Sequence, residues 1–493
     1  MTTSGNCNFA ARLTQRLSRD SQLIDAASGR VVSSLELQRM IAAHGAKLLS
    51  GGLEHGDRVL IGTSLSISSA LAYLGAIYAG LVAVPVDDRA LAASTAALID
   101  AVGARAVWSE ARLSSECAGV RYLHGDPGPE SSAMVQSYPC AASDLAALMA
   151  TSGSTGAPRF VMVSHGNLTA NSEAIIRSQG LDASDRAMVV LPLNYCFGAS
   201  LLHTHLFAGG SVVLDRRFMF PDKVIRSMVE LQCTTFAGVP TVFNVLLRRS
   251  NIRQTACPHL KRFLQAGGAL GPEAVDEFRA MFPKVEFLVM YGQTEATARI
   301  SCMEPGRWEQ KHGSAGQPLD NLTVSIVDEN GNAVNPGQIG ELVVSGPSVC
   351  AGYWNDPEES RVVFRNGRLH TGDYARQDDD GFLWIEGRKS AFLKMRGVRV
   401  SISEVEQKVA AMPGVYECGA CAVAHPESGD ALMLMVVPDQ EAAIDTEQIR
   451  RSLPRHWTVD SIRLVSELPK TPAGKLARPA LLEWVTNSHA AIH

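Results

Sequence analysis
The sequence predicts an α/β chain in two parts. A large N-terminal domain of parallel-rich sheets covered by helices carries a small β-rich subdomain, and a small α+β domain follows it. Three observations predict this. Over about 35–292, strand-like apolar runs alternate with helical patterns, which is the signature of parallel sheets with helical crossovers. After Asn321 the pattern changes to short strands broken by turn signals. Beyond Arg388, roughly a hundred residues combine a helical stretch with two apolar runs.

The elements follow in order. Phe9, Leu13 and Leu17 recur at helical spacing. The first 20 residues contain Arg12, Arg16 and Arg19 but no apolar run, so a secretory signal is excluded. An organelle transit peptide is the alternative to a first amphipathic helix. RVLIG and GLVAVPV bound the one long uncharged stretch, 59–86, which is long enough to span a bilayer. Its serines, glycines and Pro85 divide it instead into a buried strand, a helix over 68–79 and a second buried strand. ARAVWS, DRAMVVLPL, GSVVLD, CTTFAGVP, RFLQAGG and KVEFLVMYG supply further buried strands. LTVSIVDENGNAV, GELVVSGP and LHTGDYARQDDDGFLWIEGR form hairpins around the DENGN and DDDG turns, a β-rich subdomain over about 322–387 that closes a large domain at 1–387. A helix over 403–412 with the strands VYECGACAV and ALMLMVVP builds the C-terminal domain at 391–493.

Composition narrows the function. The 493 residues carry 45 basic and 50 acidic side chains, a net charge of −5, which gives no electrostatic case for nucleic acid or an anionic membrane as partner. The ten cysteines are scattered, and only Cys418 and Cys421 have CxxC spacing, so neither zinc nor a disulfide framework is indicated. Such usage suits a reducing compartment, the cytoplasm. His203 and His205 lie in a helical run with no third ligand, so core or solvent-lining roles are expected for them and not metal ligation.

Residues 151–166 read TSGSTGAPRFVMVSHG. Glycines let backbone approach an anion, and N–H groups with Ser and Thr hydroxyls can cradle phosphate oxygens. The segment does not match the GxxxxGK[ST] pattern of a P-loop, so a kinase or ATPase of that type is the weaker reading. Downstream come MYGQTEA at 290–296, LHTGD at 369–373, GRKSAFLKMRGVRVSISEVE at 387–406 and TPAGKLAR at 471–478. In this order and spacing the segments resemble the adenylate-forming superfamily: acyl-CoA synthetases, aryl-CoA ligases, luciferases and nonribosomal adenylation domains. The resemblance covers about 25–478.

That resemblance implies activation of a carboxylic acid as acyl-AMP with release of pyrophosphate, then transfer to a thiol. It implies ATP and Mg²⁺, with coenzyme A or the phosphopantetheine of an acyl or peptidyl carrier protein as acceptor. Thr151, Ser152, Gly153, Ser154, Thr155, Gly156 and Arg159 would hold the ATP phosphates; relatives carry Lys-Gly where this chain has Arg159 and Phe160. Tyr291 would stack on adenine beside Gly292 and Gln293, with Gly267, Gly268 and Ala269 as the opposite wall. Thr294 would reach the α-phosphate, Glu295 would hold the metal and Asp373 would accept the ribose hydroxyls. Arg388 and Lys389 stand at the domain joint, 388–390, about which the small domain would rotate, with Ser390 at the usual Asp or Lys pivot. Lys475 would bridge the acid and the α-phosphate, while Lys394 and Gly397 would face the thiol channel. Tyr195, Phe197 and Gly198 lie in the segment beside the acyl pocket. Amino-acid-activating relatives place an aspartate near Phe197; this chain has none, so an acid without an α-ammonium is expected. Two other readings are a standalone amino-acid adenylating enzyme that loads a carrier protein, and a nucleotide-binding module without chemistry.

Overall fold
Buried parallel strands are continuous apolar runs because both faces of the sheet are covered, and every run read as such becomes a strand. A computed structural model describes residues 5–113, 116–127, 135–151, 159–388, 392–395, 398–425, 429–439, 444–454, 457, 459–470 and 476–489. The runs divide between two sheets. One has six strands, in the order Arg121–His124, Ala106–Ser109, Arg58–Thr63, Val82–Asp87, Leu145–Thr151 and Arg159–Ser164. It is parallel except for the last pair. Pro85 has no N–H to give, and the strand that contains it meets Leu145–Thr151 only at Ala83 and Ala147.

The second sheet has nine strands. Its parallel centre runs Glu286–Tyr291, Arg262–Gln265, Thr235–Gly238, Arg186–Val189, Ser211–Leu214 and Gln22–Asp25. The helix Cys196–Phe207 is buried along its whole length, and Ile67–Tyr78 nearly so. Helices apolar on every side belong inside, and these two share one core with both sheets. The first helix, Phe9–Arg16, packs on both through Phe9 and Leu13. No helix among the described residues is long and apolar enough to cross a membrane.

The β-rich subdomain is an antiparallel sheet of Thr323–Val327, Gly340–Ser345, Arg368–Gln377, Phe364–Arg365 and Leu383–Arg388. The C-terminal sheet contains Phe392–Met395, Val398–Ser401, Val415–His425, Gly429–Pro438 and Val459–Leu464, with cores of its own. Its helix Ile402–Ala410 ends before the expected 412, because Met412 precedes Pro413 and the α region is disfavoured there. Cys418 and Cys421 are free buried thiols in separate cores; side chains three apart on a strand face opposite sides of the sheet. This unit touches the larger one where Arg248 pairs with Asp439 at 3.3 Å and Arg249 lies 4.2 Å over the Tyr416 ring.

Candidate active site
Ligands of open α/β sheets bind beyond the carboxyl ends of the strands. Tyr291 is the last residue of Glu286–Tyr291. The chain then folds back so tightly that a Cβ at Gly292 would lie 1.9 Å from the Ala298 carbonyl oxygen, so only glycine fits. The turn holds the short helix Thr294–Ala296, and the Thr297 hydroxyl fixes it by donating to Ser348 O at 2.7 Å.

Asp373 meets Tyr291 from the β-rich subdomain. The Tyr291 hydroxyl donates to Asp373 Oδ2 at 2.5 Å, and Arg388 Nε lies 2.9 Å from Oδ1. Gln293 Nε2 donates to the Tyr291 oxygen at 3.4 Å, and the Thr371 hydroxyl accepts from the Asp373 N–H at 3.1 Å. Burial, then the Asp373 charge, pushes the Tyr291 phenol well above its ordinary pKa, so it remains a donor. Asp373 is 7% exposed, whereas Arg388 is 57% exposed. A carboxylate held this way is an acceptor for hydroxyl groups.

Glu295 is partly buried, and its Oε1 accepts from the Tyr353 hydroxyl at 2.8 Å. Tyr353 is 6% exposed, and burial followed by the Glu295 charge raises its pKa. Arg159, expected on phosphate, pairs here with Glu359 at 3.0 Å and Asp356 at 3.4 Å, at the start of the helix Pro357–Val363. Its guanidinium stands 5.8 Å over the Tyr353 ring. Phe160 is 3% exposed and belongs to the core of the six-stranded sheet. Thr151, the last residue of its strand, pairs with Arg159, the first residue of the next. On the far side, Gly267 takes φ +86° and Gln265 Nε2 caps Gly268 O at 2.9 Å, leaving Gly268 and Ala269 exposed. Ser152, Gly153, Ser154, Thr155, Gly156, Lys389, Ser390, Gly397 and Lys475 lie outside the described residues. Lys394 lies on the strand Phe392–Met395, opposite Arg399.

The helix Cys196–Phe207 starts at the expected acyl segment, with Tyr195 at its N-cap. Tyr195 is edge-on to Phe197 at 6.4 Å, and Phe197 is 2% exposed. Gly198 serves packing: a Cβ there would sit 2.1 Å from the Pro192 carbonyl oxygen. Of the core and solvent-lining roles expected for His203 and His205, both take the core one. His203 Nε2 faces the Tyr73 hydroxyl at 3.1 Å and His205 Nδ1 faces Leu201 O at 3.1 Å. No group of three or more His, Cys, Asp or Glu side chains among the described residues could hold a metal ion.

Two residues here escaped the sequence reading. Tyr353, in CAGYWN, offered no signal in sequence. Arg299 offered one: it is the one charged side chain between Glu295 and Glu304, and its guanidinium is buried, 4.6 Å over the Phe197 ring.

Residues 13–354 match the AMP-binding enzyme family, and residues 404–475 match the AMP-binding enzyme C-terminal domain. The chain is 31% identical over 468 residues to a feruloyl-CoA synthase from an Amycolatopsis species, covering 91% of this chain and 93% of that one. Among solved structures it resembles ATP-bound MatB from Rhodopseudomonas palustris, with TM-score 0.86, 27% identity and coverage of 97% and 98%. It also resembles a benzoate CoA ligase from Burkholderia xenovorans, with TM-score 0.85, 26% identity and coverage of 96% and 99%. The chain therefore belongs to the AMP-binding enzyme family, the adenylate-forming superfamily that its motifs resemble, as an AMP-forming acid–thiol ligase.

Proposed function
We propose that the protein joins a carboxylic acid without an α-ammonium group to coenzyme A, through an acyl-AMP formed at the Tyr291–Asp373–Glu295 site. The observation that carries this is the convergence of Tyr291, Asp373 and Arg388 with Glu295 beyond the carboxyl ends of the strands. A nucleoside needs a flat apolar face and an acceptor for its ribose, and Tyr291 and Asp373 supply both. The feruloyl-CoA synthase and the benzoate CoA ligase support coenzyme A as acceptor over a carrier protein.

In the first half-reaction an oxygen of the acid attacks the α-phosphorus of ATP and pyrophosphate leaves. In the second, the thiol sulfur attacks the acyl carbonyl carbon, AMP leaves and the thiol proton passes to solvent. The chain's part is to hold the reactants in line and to neutralise charge on phosphorus. Thr294 and Lys475 would do so at the α-phosphate, and the loop from Thr151 to Arg159 would do so at the β and γ groups. For Arg159 this requires release from Glu359 and Asp356. Glu295 fits magnesium: Tyr353 fixes one oxygen, the other has no hydrogen-bonding partner among the described residues, and a hard cation accepts one carboxylate when phosphate and water complete its shell. Magnesium, when bound, would supply positive charge to the phosphate oxygens. An α-ammonium near Phe197 would meet the Arg299 cation and, among the described residues beside it, no acid, which disfavours an amino acid as substrate.

Acid-dependent ATP–pyrophosphate exchange over a panel of acyl, aryl and amino acids tests this reading, with AMP release by coenzyme A measured alongside release by carrier protein. Exchange with one amino acid alone would overturn it.

A further inference from the structure
Arg299 is 2% exposed, although its guanidinium remains charged at any physiological pH. Its Nε has no hydrogen-bond partner among the described residues. The neighbours that bear on its charge are the thiols of Cys302 and Cys196 and the phenol of Tyr195, none of them a carboxylate. Burial therefore pulls its pKa below the ordinary value without compensation from an acid. The Phe197 face at 4.6 Å returns only part of the lost hydration. Buried charges elsewhere in the chain do have partners. Asp185 is met by Arg262 at 2.9 Å, and Asp215 by Arg217 at 2.7 Å.

The position of this charge is informative. Arg299 lies four residues beyond Glu295 on the same tight return. Its backbone is clamped to Asn171, whose Oδ1 accepts from Arg299 N–H at 3.3 Å and whose Nδ2 donates to Arg299 O at 2.9 Å. Asn171, Cys196, Thr297 and Ala298 line a narrow cavity that reaches inward to Tyr73 and His203. The guanidinium lies beside Tyr195, Cys196 and Phe197, the segment expected at the acyl pocket, and Cys196 is the residue that segment shares with the cavity. A rigidly held cation with no counter-ion among the described residues would be stabilised by an anion brought from outside.

We propose that Arg299 sets the specificity of the acid pocket, by receiving a second anionic group, a carboxylate or a sulfonate, at the non-reacting end of the substrate. The inference rests on the ligase reading and narrows its substrate class to acids with two anionic groups. A planar fork over an aromatic ring can grip either group with two parallel hydrogen bonds.

The test compares matched acids in ATP–pyrophosphate exchange: butyrate with succinate, valerate with glutarate, benzoate with phthalate, and propionate with 3-sulfopropionate. The wild-type protein is expected to favour the doubly charged member of at least one pair by roughly a hundredfold in kcat/KM. Arg299→Met should abolish that preference, chiefly through KM, while the singly charged partner keeps its rate or gains. Arg299→Lys should restore part of it. A wild-type preference for singly charged acids, or an equal loss on both members in Arg299→Met, would overturn the proposal. If no acid supports exchange, the ligase reading fails, and thermal unfolding with the same acids decides the inference. Stabilisation of the wild type but not of Arg299→Met by succinate, glutarate, phthalate or 3-sulfopropionate upholds the subsite, and no shift with any of them rejects it.

Discussion

Replacing Tyr353 with Phe removes one oxygen and leaves the ring in place, edge-on to Phe364 at 5.5 Å. The lost contact is the 2.8 Å hydrogen bond to Glu295. A hydrogen bond to a charged group contributes about 1.5–3 kcal/mol net. Glu295 is only partly buried, so the lower half of that range applies. If the bond serves to hold the carboxylate where phosphate and metal meet, about 1.5–2 kcal/mol becomes a ten- to thirtyfold slower adenylation. The assay is acid-dependent pyrophosphate exchange at a series of Mg²⁺ concentrations, with thermal unfolding as control. The expected result is a higher Mg²⁺ requirement with little change in unfolding temperature. Glu295→Gln should move the Mg²⁺ requirement further in the same direction. An unchanged Mg²⁺ dependence in Tyr353→Phe, together with a lowered unfolding temperature, would show that the hydroxyl only braces the fold.

Three further outcomes are expected. Lys475→Ala should cut acyl-AMP formation by roughly a hundredfold or more while sparing conversion of supplied acyl-AMP to thioester, and Gly397→Leu should do the reverse; rapid-quench measurement of each half-reaction decides, and equal slowing of both in Lys475→Ala would refute the division of labour. Gly292→Ala drives a methyl group into the Ala298 carbonyl and should destabilise the chain by about 1–3 kcal/mol, read from denaturant unfolding; an unaltered midpoint would mean that the return after Tyr291 yields freely. Burial lowers the pKa of His203 to about 3 and of His165 and His205 to about 4, from 6.5. Unfolding frees them to take up protons below about 6.5, so their contribution is whole above that pH and is lost as pH falls from 6.5 towards 4. Thermal unfolding temperatures that stay flat over that range would count against it.

Much of the architecture is legible without coordinates. Strand runs such as RVLIG and KVEFLVMYG are continuous apolar stretches because helices cover both sheet faces, and that constraint is written locally. The buried helix Cys196–Phe207 and the placement of Cys418 and Cys421 in strand core follow from the same patterning. Glu295, Asp373 and Tyr291 are recognisable because they sit in short motifs whose order survives in the chain.

The partners of those residues are another matter. Tyr291 meets Asp373 across 82 positions, Tyr353 meets Glu295 across 58, and Arg159 meets Glu359 across 200. Periodicity states which face of its own element a side chain occupies, but not which element will be packed against that face. Closing those loops brings a phenol to Glu295, the carboxylate proposed for the metal, and two acids to an arginine expected on phosphate. The same folding closes Phe197 over Arg299 with no acid beside it among the described residues. In sequence Arg299 is a charge among small residues, of the kind that usually faces solvent. Its lack of water and of a counter-ion is a property of the packed interior, because desolvation depends on everything that surrounds a group and not on its neighbours along the chain.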